Sequence, residues 1–250
     1  MRSFNDEVVF KNEIAELLPR VPWCVSGMSE RRHGNLRIGP NGAADVLARA
    51  RFLIECNISP DRVITPFQTH GATASVVDES YLEGIPEADG LVTKDPNVFL
   101  SVTAADCMPV FFVDTDKKIV GIAHAGWRGL LRGVIQATVG AMASIGSDPA
   151  TLRVVIGPSI HVCHFAVDFK VARQFSAQLG TDVVSRRDDQ LSVDLQKSAV
   201  RLLGRAGVVP SKIITSDTCT FCEEKYFSHR RDGQNGVGIE AMLAVIGIQE

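Results

Sequence analysis

This sequence predicts an α+β (mixed α/β) fold: a single domain over residues 1–250, with mixed sheets and packed helices. Three observations lead there. Strand-like and helix-like segments follow one another without a regular βαβ period. No internal repeat, low-complexity run or linker divides the chain. The composition, 45% hydrophobic and 22% charged over 250 residues, is that of a globular protein able to bury a sizeable core.

The elements are read in order. Phe10–Leu18 is a short helix or an irregular lead-in, and Trp23–Val25 a strand. Ser26–Gly42, rich in Gly, Arg and Asn, is a surface loop. Ala43–Cys56 has apolar residues at Val46, Leu47, Ala50, Leu53 and Ile54, which is helical spacing, with Asn41 or Asp45 as its cap. Pro60-Asp61 turns the chain into a strand over Val63–Phe67. Further strands are expected at Ala74–Val77, Leu91–Thr93, Val98–Thr103 and Val110–Val113, with Pro109 breaking the sheet before the last of these. Asp114–Lys117 is a hairpin turn into Ile119–Ala123. Gly129–Ile145 is one helix with a buried face. Strands at Leu152–Ile156 and Val162–Val167 precede helices at Asp168–Gly180 and Asp194–Gly207, Asp168 capping and Gly180 stopping the former. Strands at Ile213–Thr215 and Ala241–Ile248 complete the series.

Three soft or borderline metal ligands, His70, Cys107 and His124, each stand at or just past the end of a strand-like run. A strand end lets a side chain leave the core while its backbone stays fixed. Gly71, Ala104-Ala105, Ala123, Ala125 and Gly126 flank them, small residues that leave room for an ion and a substrate. Two imidazoles and a thiolate suit Zn²⁺, and three protein ligands leave a fourth position open. The expectation is one catalytic zinc per chain. Taken singly, a His is more often a hydrogen-bonded residue and a Cys a small buried hydrophobe.

Gln68-Thr69-His70-Gly71, Ala105-Asp106-Cys107-Met108-Pro109-Val110, Ala123-His124-Ala125-Gly126-Trp127-Arg128-Gly129, Ile156-Gly157-Pro158-Ser159-Ile160 and Phe227-Ser228-His229-Arg230-Arg231-Asp232-Gly233 resemble the motifs of the multicopper polyphenol oxidase, or laccase-domain, family. The resemblance runs from about Trp23 to the C-terminus. It implies a zinc-dependent purine nucleoside phosphorylase acting on adenosine, inosine, guanosine and methylthioadenosine with phosphate as co-substrate, and an adenosine deaminase activity. By position, the family's zinc ligands fall on His70, Cys107 and His124, and the resemblance makes Gln68 a substrate contact.

Phosphorolysis needs an anion site, and Arg recognises phosphate bidentately. Arg128, beside His124, is the first choice for substrate contact and catalysis, with Arg230 and Arg231 behind it. The alternative for the latter two is a structural ion pair, for example to Asp232. Asp106 is a general acid/base or a partner to a ligand His, or else a turn carboxylate bonded to backbone N–H groups. Cys219-x-x-Cys222 resembles half a zinc knuckle or a redox pair; there is no second Cys-x-x-Cys and no thioredoxin-like βαβ context, so a packing role is expected, with a redox role behind it.

A second reading is a metal-dependent oxidoreductase, for phenol oxidation or cell-wall precursor editing. Against it, six His and no His-x-His pair cannot build a four-copper array of about ten imidazoles. A third is a zinc-stabilised binding module without turnover. A net charge of −3 favours no nucleic-acid partner. Six scattered Cys suggest reduced thiols and a cytoplasmic protein. Neither a signal peptide nor a membrane span is expected.

Overall fold

The computed structural model describes residues 13–18, 21–38, 45–233 and 240–250. It is a mixed α/β structure. In chain order its elements are α1 (Glu13–Leu17), β1 (Cys24–Met28), α2 (Val46–Glu55), β2 (Val63–Ile64), β3 (Ala74–Val76), β4 (Gly90–Thr93), β5 (Phe99–Ala104), β6 (Met108–Asp114) and β7 (Ile119–Ala125). Then come α3 (Trp127–Arg132), α4 (Val134–Ser144), β8 (Arg153–Ile156), β9 (Ala166–Val167), α5 (Phe169–Leu179), β10 (Val184–Arg187), β11 (Gln190–Val193), α6 (Leu195–Arg205), β12 (Ile213–Thr215), α7 (His229–Asp232) and β13 (Met242–Ile248).

Two sheets stack. One runs β1-β13-β5-β2 and the other β12-β8-β6-β7-β4-β3, while β10-β11-β9 form a small third sheet. Alternation along the central strands explains the layers. Phe111 and Val113 of β6 and Val120 and Ile122 of β7 face Leu100, Val102, Met242, Ala244 and Ile246 of the first sheet. The intervening Val110, Phe112 and Ala123 face the helices, meeting Leu130, Ile135, Val139, Phe175 and Leu202. Behind the first sheet, Phe99, Leu243 and Val245 pack on Phe52 and Leu53 of α2. Strands β6, β7 and β13 are thus buried on both faces, which is why they read as continuous apolar runs.

Helix starts follow the capping expectations. Asp168 accepts from the Val171 amide at 2.8 Å, and Asp194 from that of Lys197 at 2.8 Å. For α2 the cap is Asp45, accepting from Ala48 at 2.9 Å; Asn41 lies outside the described residues. Its buried face is Phe52 and Leu53, whereas Val46, Leu47 and Ile54 are exposed.

Several expectations need correction. The helix expected over Gly129–Ile145 is two, α3 and α4, parted at Gly133 in a left-handed conformation (φ 99°). The chain does change sheets at the Asp106–Pro109 corner, β5 and β6 lying in different sheets, but Pro109 itself sits within β6 opposite His124, and its carbonyl accepts from Gly157 at 2.9 Å. A proline near a strand end gives up one donor and keeps its acceptor. The strand expected at Val63–Phe67 is only Val63–Ile64, and that at Val162–Val167 only Ala166–Val167. Conversely, β1 runs on to Met28, into the expected loop, where a 3₁₀ turn follows at Arg31–His33. The β10–β11 hairpin has no counterpart among the expected elements: its Ser-Arg-Arg-Asp-Asp stretch carries no apolar alternation, and Asp188 makes the turn at φ 53°.

Candidate metal centre

The centre is assembled by strand pairing. In the β6–β7 ladder Pro109 faces His124 and Met108 faces Ala125. Cys107, one residue before β6, therefore arrives beside Gly126, one residue after β7. A Cβ on Gly126 would stand 2.7 Å from the Cys107 Sγ and 3.4 Å from the His70 ring. Only glycine leaves that space. His70 comes from the turn after β2, in a left-handed conformation (φ 56°), and Asp106 shares that region (φ 82°). Backbone held in this sparsely populated region by its surroundings is a mark of functional sites.

Asp89 holds the assembly together, and sequence reasoning missed it. It is fully buried, just before β4. Its carboxylate accepts from the backbone amides of Thr69 (3.2 Å), His70 (3.1 Å) and Gly71 (2.6 Å), so it shapes the turn that carries His70. It also accepts from His124 Nδ1 at 2.9 Å. That bond leaves Nε2 as the atom His124 can offer an ion, the familiar carboxylate–histidine arrangement of metal sites. The available signal was an Asp-Gly step directly before a strand.

His70, Cys107 and His124 present one ligand atom each, all within 4.8 Å of one another. The two imidazoles meet edge-on, with centroids 4.7 Å apart at 85°. His124 is buried and His70 exposed, so the group opens to solvent on the His70 side. Burial disfavours the Cys107 thiolate, yet His124, together with His70, outweighs it and draws the thiol down to about 6. Burial would likewise lower His124, but the Cys107 thiolate and the Asp89 carboxylate lift it to about 9. A buried thiolate and carboxylate thus demand positive charge between them. A divalent ion meets that demand, and a thiolate is the form of cysteine that ligates metals. The donor set fits zinc with an open position.

The remaining expected residues lie around this group. Asp106 accepts from the Thr220 hydroxyl at 2.7 Å and from the Arg230 amide at 2.7 Å, tying two distant segments to the residue before Cys107. Gln68 spends its amide on Thr103, donating to its carbonyl (2.9 Å) and accepting from its amide (2.8 Å). Arg231 is consumed by the carbonyls of Thr220, Phe221 and Tyr226 and by Asp232. Arg230 gives one nitrogen to the carbonyls of His164 and Ala166. Arg128 is exposed and lies over Trp127 at 4.3 Å.

A family model described as multi-copper polyphenol oxidoreductase laccase matches residues 27–249. The purine nucleoside phosphorylase YlmD of Geobacillus stearothermophilus is 32% identical over 263 residues, covering 93% of each chain. Its Bacillus subtilis namesake is 35% identical over 90% of this chain and 86% of its own. The purine nucleoside phosphorylase LACC1 of Mus musculus is 41% identical over 157 residues, 60% of this chain but only 36% of the mouse protein's length. The crystal structure of YlmD from Geobacillus stearothermophilus superposes with a TM-score of 0.83 at 31% identity, over 93% of this chain and 94% of that one. Sequence match and fold agree: the chain belongs to the family described as multi-copper polyphenol oxidoreductase laccase.

Proposed function

We propose that this protein is a zinc-dependent purine nucleoside phosphorylase that also deaminates adenosine. The convergence of His70, Cys107 and His124 on one point, with Asp89 orienting His124, carries the reading. The names of the relatives supply the substrate class. A zinc ion held there by His70, Cys107 and His124 would supply Lewis-acid chemistry to the reacting groups.

The protein's own residues divide the remaining work. Arg128, exposed and two residues beyond Gly126, receives the phosphate bidentately. Arg230 offers the guanidinium nitrogens its carbonyl partners leave over. Gln68 and Arg231 act as positioning residues, because their polar atoms already hold the walls. Asp106 is a positioning residue too, fixing Cys107 from the neighbouring position. In phosphorolysis a phosphate oxygen bonds C1′ as the bond from C1′ to the base breaks, and the base leaves with a proton. In deamination the oxygen of water bonds C6 of adenosine's base, the C6–N bond breaks, and the amino group leaves as ammonia with a proton from that water.

The test is incubation with adenosine, inosine, guanosine and methylthioadenosine, with and without phosphate, followed by product identification. Free base and ribose 1-phosphate (5-methylthioribose 1-phosphate from methylthioadenosine) should form only with phosphate, and inosine should form from adenosine without it. His124→Ala and Cys107→Ala should lose the zinc of this three-residue centre and both activities together. Full phosphorolysis by the Cys107 variant would overturn the assignment. Stoichiometric copper with oxygen uptake on phenols, and no nucleoside turnover, would favour the oxidoreductase instead.

A further inference from the structure

A second cluster of soft ligands lies away from this centre. Cys163 and His164 stand in the loop after β8, and Cys219 and Cys222 in the turn after β12. Their four ligand atoms all lie within 4.8 Å of one another. Sγ of Cys163 is 3.8 Å from that of Cys219 and 4.0 Å from that of Cys222. His164 Nδ1 is 3.2 Å from the Cys163 sulfur and 3.3 Å from the Cys222 sulfur.

These separations match a shared ion. With Zn–S bonds of about 2.3 Å and a Zn–N bond of about 2.0 Å, a tetrahedral site has S···S edges of about 3.8 Å and S···N edges of about 3.5 Å. Bonded sulfurs would be about 2.05 Å apart, and all three cysteines are free. The surroundings are those of a built site. The His161 amide points at the Cys219 sulfur at 3.4 Å. The His164 ring is stacked on Phe221 with centroids 3.9 Å apart, which fixes its orientation. Cys219 is buried, and the ladder contact between Ser159 and Cys219 brings the two loops together.

We propose that Cys163, His164, Cys219 and Cys222 form a second, closed tetrahedral zinc site that pins the loop around residues 159–166 to the turn at residues 218–223. Four protein ligands and no open position make it structural, in contrast to the three-ligand centre. It also reaches that centre. Thr220, between the two cysteines of the turn, holds Asp106, and the His164 and Ala166 carbonyls hold Arg230. The Cys-x-x-Cys of the sequence is thus half of a site whose other half is the adjacent pair Cys163-His164, with Cys163 standing 56 residues before Cys219. That separation is too long for a local zinc-finger pattern to reveal it.

The test is zinc stoichiometry of the full chain, kept reduced and equilibrated with Zn²⁺ alone. Wild type should hold two zinc ions, Cys222→Ser one, His124→Ala one, and the double variant none. One retained equivalent in Cys222→Ser also reports that this variant folds. Should it fail to fold, His124→Ala loaded with Co²⁺ serves instead. The bound Co²⁺ should then show tetrahedral visible absorption with the charge-transfer intensity of three thiolates. A single zinc in wild type, undiminished by Cys222→Ser, would overturn the proposal. So would Co²⁺ failing to bind His124→Ala, or a disulfide among these cysteines in the native protein.

Discussion

At the scale of the residue, Asp89 shapes more of the candidate site than His70, Cys107 or His124 does alone. One carboxylate serves three backbone amides of the His70 turn and the Nδ1 of His124. Asp89→Asn keeps the shape and loses the charge. Its amide also turns two N–H donors toward groups that themselves donate, which costs the bonds rather than weakening them. Zinc affinity should fall about 10–100-fold, the usual loss when a partner of a ligating His is removed. Competition with a chromophoric chelator measures it, and an unchanged affinity would remove Asp89 from the account. His70, Cys107 and His124 were legible in the sequence because each follows an apolar run. Asp89 was not, because it meets His124 through the pairing of Gly90 with Ala123, and register between distant strands is not written locally. Arg231 and Gln68 show the converse. A motif names a residue without saying whether its polar atoms face a ligand or the backbone.

At the scale of the element, the break between α3 and α4 matters most. The run Gly129–Ile145 has helical periodicity throughout, so periodicity alone joins what Gly133 divides. At φ 99° Gly133 caps α3 through bonds to Gly129 and Leu130, then starts α4. The left-handed region costs an L-residue roughly 1–2 kcal/mol, so Gly133→Ala should lower stability by about that amount. A shift in urea midpoint with an unchanged slope measures it, whereas a neutral result would mean the helices can reorient without glycine. The long strands were readable because both faces are buried. The three-residue β3 and β12 were readable too, but β2 and β9, two residues each, were read too long, and the polar β10–β11 hairpin was not read at all.

At the scale of the whole molecule, segments from opposite ends of the sequence are joined by charge. Asp232 pairs with Arg31, 201 residues away, at 2.5 Å, and with Arg231 at 2.9 Å. Arg31 also donates to the carbonyls of Glu224 and Tyr226 and lies over Phe227 at 4.5 Å. The turn after β1 is thereby fastened to the segment that carries Arg230 and Arg231. Partial burial opposes the Asp232 carboxylate, but Arg231, the Ser228 amide and Arg31 outweigh it and hold the group at about 2, below the ordinary 3.8. A carboxyl lowered on folding stabilises the protein above its unfolded value and loses that contribution as pH falls through its folded one. The contribution is therefore complete above about pH 5, about half remains at pH 3, and it is gone below about pH 1. Solvent screens these partly exposed groups, so the full contribution is about 1 kcal/mol. Asp232→Asn should lower the urea midpoint accordingly at pH 7, and the gap from wild type should narrow between pH 5 and pH 3. A gap that stays constant over that range would mean that the two segments are held by packing around Phe227 and Tyr226 rather than by ion pairing.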